Sequence, residues 1–278
     1  MEDVKEEVVN SNSVEAAVAA AAPKRSRAKR NTLIVVLSVC IAIMLFLWVV
    51  IGYLLYVICS FSRLPDVMTL DVVNNKTEEL AADGSYSIMT YNVGFGAYSP
   101  DYTFFMDTGI MNDGTKTAGK HGKARSSKEA QDNIAGAAGV VSHYEPDFAI
   151  IQEVDTDSTR TYHVDQRPAF MHIKDGLYAS TFAVNYHSSY LMYPFSDPIG
   201  ASNSGILTLS KHKIEDSTRY AFPIADGLSK FTDLDRCYSV THIPVAGGKK
   251  LAIISLHMSA YDEGGVIRKQ QADMLKAA

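Results

Sequence analysis

The strongest pattern along the chain is an unbroken apolar run from Leu33 to Ile58, 26 residues without a charge. As a helix it would reach about 39 Å, more than the ~30 Å hydrocarbon core of a bilayer. Core helices of soluble domains rarely run so long without a polar face. A cleaved signal has an apolar region of about 7–15 residues followed by a small-residue cleavage site, which Cys59-Ser-Phe-Ser-Arg63 does not supply. The pattern therefore predicts a retained membrane helix over residues 32–60. Beyond it, the alternation in Tyr86–Val93 predicts a strand running into Gly94 and Gly96. Ser99–Lys123, rich in Gly, Asp and Lys, reads as a long loop. Ser126-Ser-Lys-Glu129 has the form of a capping box, and Ile134, Ala138 and Val141 follow at helical spacing, so a helix should end near His143. The apolar stretch Asp147–Glu153 follows at once as a strand. Strand, helix and strand in that order predict a parallel pair with a crossover. Further strands are expected at 179–186, 205–209, 236–245 and 251–258. The last two are joined by a hairpin at Ala246–Lys250, and a closing helix is expected over Gly265–Ala278.

Charge orients the apolar helix. Lys24, Arg25, Arg27, Lys29 and Arg30 precede it, and only Arg63 follows closely. The positive-inside rule puts residues 1–31 in the cytoplasm as a tail and the remainder outside the cell membrane, a single-pass topology. Residues 61–84 read as a polar tether and 85–278 as the outer domain. Asn75-Lys-Thr77 fits a glycosylation acceptor triplet, a pattern that recurs often by chance. A content of 47% hydrophobic and 21% charged residues describes a packed domain and excludes a mainly disordered chain. Of 26 Lys/Arg and 31 Asp/Glu, six and five fall before residue 61, so the remainder is near −6. That argues against a surface built to grip polyanions. With Cys237 alone after residue 60, no disulfide can form within the outer domain, and no zinc-type cluster is present.

Three polar residues end apolar strands: Asn92 after Ile88–Tyr91, Glu153 after Phe148–Gln152, and His257 after Leu251–Leu256. Ligands of open α/β sheets bind at the carboxyl ends of strands. A carboxylate there can hold Mg²⁺ with water completing the shell. An amide can orient that carboxylate or a phosphate, and a histidine can donate to a phosphoryl oxygen as charge develops. Taken singly, each has a plainer reading: a turn asparagine, a solvated strand end, a packing histidine. His121, His143, His163 and His212 have that plainer character. Asp155 and Asp157, close behind Glu153, read as a solvated acidic loop that would attract cations without specificity.

Together the segments Thr90-Tyr-Asn-Val93, Ile150-Ile-Gln-Glu-Val154, Asn203–Ser210 and Ser255-Leu-His-Met-Ser-Ala260 resemble successive motifs of the endonuclease/exonuclease/phosphatase superfamily. That superfamily includes deoxyribonuclease I, neutral sphingomyelinases and inositol-polyphosphate 5-phosphatases. The resemblance covers about Tyr86 to Ala278. It implies a two-sheet α/β sandwich of the deoxyribonuclease I-like type, preceded here by the membrane helix, and a phosphoesterase dependent on Mg²⁺ or Mn²⁺. It makes Glu153 the metal ligand, Asn92 the active-site asparagine beside it, and His257 the residue that contacts the scissile phosphate. Asn203, at the start of a family strand, would line the site. The superfamily's Asp-x-Asn motif and terminal Asp-His pair have no counterpart in 1–278. The resemblance thus implies a fragment lacking its last catalytic motifs and C-terminal strands. The substrate would be a phosphate ester: a lipid headgroup, a small phosphoester or nucleic acid. The alternative is a non-catalytic, membrane-tethered binding module that keeps the fold. Nothing in the sequence points to a protein partner.

Overall fold

A computed structural model describes residues 27–110, 113–224, 227, 230, 235–260 and 262–277. Most of the predicted tail lies outside these residues. The chain divides into two compact units, Met1–Tyr56 and Val57–Ala278. Helix α1, Arg27–Cys59, forms where the apolar run predicts it. From Leu33 to Leu55 its apolar side chains are almost all exposed, so by length and composition alone it is able to cross a membrane.

The second unit is built on two four-stranded sheets. The first has the order β2 (Ile88–Asn92), β5 (Phe148–Asp155), β7 (Gly200–Ser210), β6 (Ala179–Leu191). The β2–β5 pair is parallel, as the strand–helix–strand pattern requires. The crossover helix α2, Ser127–Tyr144, starts at Ser126, whose hydroxyl accepts the Glu129 N–H. Only half of the capping box forms, because the Glu129 carboxylate takes the Ser99 hydroxyl instead. The helix stops at Glu145, which adopts a left-handed conformation one residue before Pro146.

The second sheet has the order β1 (Val67–Thr69), β8 (Asp216–Ala221), β9 (Cys237–Val245), β10 (Lys249–His257). Alternation along the strands sorts side chains into two cores. Ala149, Ile151, Leu207 and Leu209 meet Ile134, Ala138 and Val141 of α2. Phe148, Ile150 and Ile206 turn the other way, onto Ile243, Ile253 and Cys237 of the second sheet. The layers are therefore helix, sheet, sheet: the expected two-sheet α/β sandwich. The closing helix, α4 (Val266–Ala277), follows β10, with a short helix, α3 (Arg167–Met171), between β5 and β6.

Three segments differ from the sequence reading. The polar "tether" is packed on the domain. Val67–Thr69 pairs with β8, Val73 bridges Ser180, and Leu80 is buried beside Val245. Asn75 in the glycosylation triplet spends its amide on both main-chain groups of Ile214, at 2.8 and 2.9 Å. The long loop 99–123 carries a small hairpin, β3 (Thr108–Ile110) with β4 (Lys116–Ala118). Strand β8 has no apolar signature because its inward residues include Ser217 and Arg219. Arg219 is 1% exposed, and its guanidinium donates to the carbonyls of Val184, Pro65 and Asp235, which satisfies a charge that burial would otherwise make costly.

Candidate active site

Asn92, Glu153 and His257 come together at the carboxyl ends of β2, β5 and β10. Parallel pairing sets Asn92 opposite Gln152, and the next residue reaches it: Asn92 Nδ2 donates to Glu153 Oε1 at 2.9 Å. The other end of the same amide is held as well, since the Gly94 N–H donates to Asn92 Oδ1 at 2.9 Å. Gly94 opens a tight turn, Gly94–Gly96, and its φ of +51° suits glycine. A β-carbon there would meet the Tyr98 ring at 2.4 Å.

Glu153 sits on a β-bulge. Ile151 faces Leu207 and Val154 faces Gly205, so Gln152 and Glu153 together stand opposite Ile206 alone. Glu153 takes φ +59°, an unusual conformation for a residue with a long side chain. The extra residue resets the alternation. Without it, Glu153 would follow Ala149 and Ile151 into the α2 core, and Val154 would take the opposite face. With it, Val154 keeps the core position and Glu153 is released, a quarter exposed. Gln152 braces the step from the side, its amide donating to the Thr90 hydroxyl at 2.9 Å.

His257 Nε2 lies 3.6 Å from Glu153 Oε1. Arg236 Nη1, a donor only, is 3.3 Å from His257 Nδ1, which assigns the proton to Nε2. Burial, then the Arg236 and Arg160 charges, push the His257 pKa down to about 3. The contact with Glu153 is thus a polar contact of a neutral ring and not an ion pair. A neutral imidazole with its Nε2–H directed at the carboxylate end of the site can donate to an anion.

Among the described residues no hydrogen bond links the Asn203 side chain to Asn92, Glu153 or His257. The Asn203 main chain sews a loop to β7, with its carbonyl accepting from Thr156 and Ser158 and its N–H donating to the Ser158 hydroxyl at 2.7 Å.

Asp155 is not a solvated loop residue. It is fully buried, and Arg160 donates to both carboxylate oxygens at 2.8 and 2.7 Å, with the Thr161 hydroxyl at 3.2 Å. The Arg160 guanidinium also stacks 3.9 Å from the centre of the Phe95 ring. Gln166 completes this layer: its Oε1 accepts the Asp155 N–H, and its Nε2 donates to the Phe95 carbonyl. Sequence reading missed Arg160 and Gln166, which lie in a stretch with no periodic pattern, and Arg236, which it placed at the start of a strand without assigning it a role. Asp157 does match the solvated reading, exposed and paired with the equally exposed His163.

Beside Asn92 and Glu153 an open groove of about 590 Å³ runs along α2, lined by Tyr91, Tyr98, Asn133 and Gly136 among others. Among the described residues no hydrogen bond reaches Glu153 Oε2, and no group of three His, Cys, Asp or Glu converges. One carboxylate fixed at one oxygen and open at the other fits Mg²⁺ or Mn²⁺ held by one protein ligand, with water and substrate oxygens completing the shell. It does not fit a protein cage such as Zn²⁺ takes.

The fold is a two-sheet α/β sandwich. Similar solved structures include an endonuclease/exonuclease/phosphatase from Beutenbergia cavernae DSM 12333, 17% identical over 68% of this chain and 43% of its own, with a TM-score of 0.42. Another is ANGEL2, a 2′,3′-cyclic phosphatase, 15% identical over 75% of this chain and 49% of its own, TM-score 0.44. A third is sphingomyelinase C from Streptomyces griseocarneus, 14% identical over 70% of this chain and 58% of its own, TM-score 0.39. The chain thus spans about half the length of these proteins. No family model and no curated protein matches it.

Proposed function

We propose that the outer domain belongs to a membrane-anchored phosphoric ester hydrolase that works with Mg²⁺ or Mn²⁺, with Glu153 as metal ligand, Asn92 as its positioning residue and His257 as a phosphate-contacting donor. The observation that carries this reading is the bulge at Gln152–Glu153, which frees one carboxylate from the core while Asn92 clasps it. The bound cation would supply charge neutralisation at the phosphate. The chain's own contribution is geometric and electrostatic: Asn92 holds the carboxylate, the neutral Nε2–H of His257 donates to a phosphoryl oxygen, and the groove along α2 receives the rest of the ester. Donors fixed before reaction act without reorganisation when charge develops. The resemblance of the strand-end motifs to those of a phosphoesterase superfamily supports the class of chemistry. The basic flank before α1 supports a cytoplasmic N-terminus and an outer domain beyond the cell membrane.

The test is a Mn²⁺ titration of the full chain followed by electron paramagnetic resonance, with and without inorganic phosphate. Saturable binding that tightens with phosphate and weakens about tenfold or more in Glu153→Gln is expected. Equal binding by Glu153→Gln overturns the assignment. Mg²⁺-dependent release of p-nitrophenolate from bis(p-nitrophenyl) phosphate, lost in the same variant, is the enzymatic outcome. Binding without release by this chain fits both the tethered binding module and a hydrolase lacking its Asp-x-Asn and Asp-His motifs, and restoring those motifs separates the two.

A further inference from the structure

The turn joining β6 to β7 carries side chains that an aqueous surface rarely gathers. Tyr190 is 41% exposed, Met192 43%, Tyr193 59% and Phe195 81%. The run Tyr190-Leu-Met-Tyr-Pro-Phe-Ser196 contains no charge. The aromatic rings are presented on a packed base, since Tyr193 contacts the Phe105 ring edge-on at 5.3 Å and the Phe195 ring at 6.0 Å. Three aromatic side chains and a methionine exposed along one short run form a surface of the kind that marks an interaction site.

Chain connectivity says what this surface meets. Ser60, Phe61 and Ser62 leave the end of the apolar helix directly, and they line one small cleft with His187 and Leu191 at the end of β6. Ser62 Oγ is 3.5 Å from His187 Nε2, and the ring is held on its other side by the buried carboxylate of Asp235 at 2.9 Å. Leu64 donates its N–H to the same carboxylate at 2.8 Å. The segment that emerges from the helix is therefore fastened to the strand that leads into the aromatic turn. Three residues span at most about 11 Å, so this strand end lies close to the point where the helix ends.

We propose that the turn Tyr190–Phe195 docks into the headgroup region of the bilayer that α1 spans, with Tyr193 and Phe195 as its anchors. Tyr and Phe carry apolar bodies suited to the membrane–water boundary, and Tyr190–Ser196 brings no charged side chain there; Asp197, further along the turn, is paired with Lys123 at 3.4 Å. The inference rests on the reading of α1 as a membrane helix. It has a consequence for the site. Antiparallel pairing puts the β6 end and the β7 start at the same end of the sheet as Glu153, so docking this turn brings that end toward the lipid headgroups.

The experiment uses the full chain in phosphatidylcholine vesicles. Trp48 is the single tryptophan, so Phe195→Trp in a Trp48→Phe background reports the turn alone. A spin label near the lipid headgroup should reduce the emission of the indole at position 195 about twofold, consistent with a depth of about 5–10 Å, and a label at the chain terminus should do less. Tyr144→Trp, exposed at the far end of α2 just before β5 begins, should be unaffected. Met192→Trp gives an independent second reporter. Trp48 in the native sequence should be quenched by the deep label. Failure there overturns the membrane-helix reading and the inference with it. Quenching of Trp48 without quenching at 195 or 192 overturns the docking inference alone. Emission from position 195 that responds to protein concentration and not to spin-labelled lipid also overturns it, in favour of contact with a second copy.

Discussion

Asn92 and Glu153 are 61 residues apart in sequence and joined by a 2.9 Å hydrogen bond across two parallel strands. Because the Gly94 N–H fixes the other end of the Asn92 amide, the carboxylate is oriented by the main chain of the Gly94–Gly96 turn, with the amide as intermediary. Removing that intermediary should leave the charge in place and lose its aim. Asn92→Ala is expected to weaken Mn²⁺ binding by about 10–100-fold, the range seen when a partner of a metal ligand is deleted. Asn92→Asp keeps an acceptor for Gly94 and sets a second carboxylate against Glu153. It should melt lower than the native chain without metal and gain more melting temperature on Mn²⁺ addition. Thermal melts with and without Mn²⁺ decide this, and equal gains in both proteins refute it.

Asp155 and Asp157 provide a contrast that separates scaffold from surface. Asp155→Ala strands the buried Arg160 guanidinium, so a loss of about 3–5 kcal/mol is expected. Asp157→Ala removes an exposed partner of His163 and should cost under about 1 kcal/mol. Denaturant melts of both variants measure the difference. If they are equally stable, the Asp155–Arg160 pair is not the support described above.

Stability in acid should carry a signature of His257. Its folded pKa is lowered to about 3 from an ordinary 6.5, so between those values the unfolded chain binds the proton and the folded chain does not. Stability from this group is complete above about pH 6.5 and falls on acidification by up to ~1.4 kcal/mol per pH unit. His257→Gln removes that slope. The stability gap between the metal-free native chain and His257→Gln should therefore shrink from about pH 7 to about pH 4.5. A gap that stays constant, or widens, would mean that the imidazole is not held neutral.

The outer placement of the domain is open to thiol mapping. Cys237 is buried, and its thiol is pushed up to about 11 by that burial, so it forms a silent background. With Cys40 and Cys59 changed to serine, Tyr144→Cys should react with a membrane-impermeant maleimide on intact cells. Reaction only after lysis reverses the topology.

Much of this architecture is written in local pattern. The apolar run of α1, the Ser126 cap and the parallel pair of β2 with β5 follow from periodicity and capping chemistry, and the three strand-end residues converge as the strands dictate. What escaped depends on distant partners. Strand β8 buries Arg219 against three carbonyls supplied by residues 65, 184 and 235, and no window around 219 reveals them. The extended segment 61–84 looks polar because its contributions are single residues such as Leu80. Asp155 looks exposed because Arg160, which buries it, comes from a loop without periodicity. The bulge at Glu153 is silent in sequence for a further reason. An apolar strand buried on both faces reads the same before and after a one-residue change of phase.

That bulge sets stability against use at a single position. A left-handed glutamate costs of order 1–3 kcal/mol, and glycine would occupy φ +59° without strain. Glu153→Gly would thus relax the backbone while erasing the carboxylate, so selection for fold stability alone would discard this side chain. Under the proposed function, the glutamate here exchanges backbone stability for a metal ligand. Laboratory evolution for heat resistance, run without selection for function, should find position 153 among the first it changes.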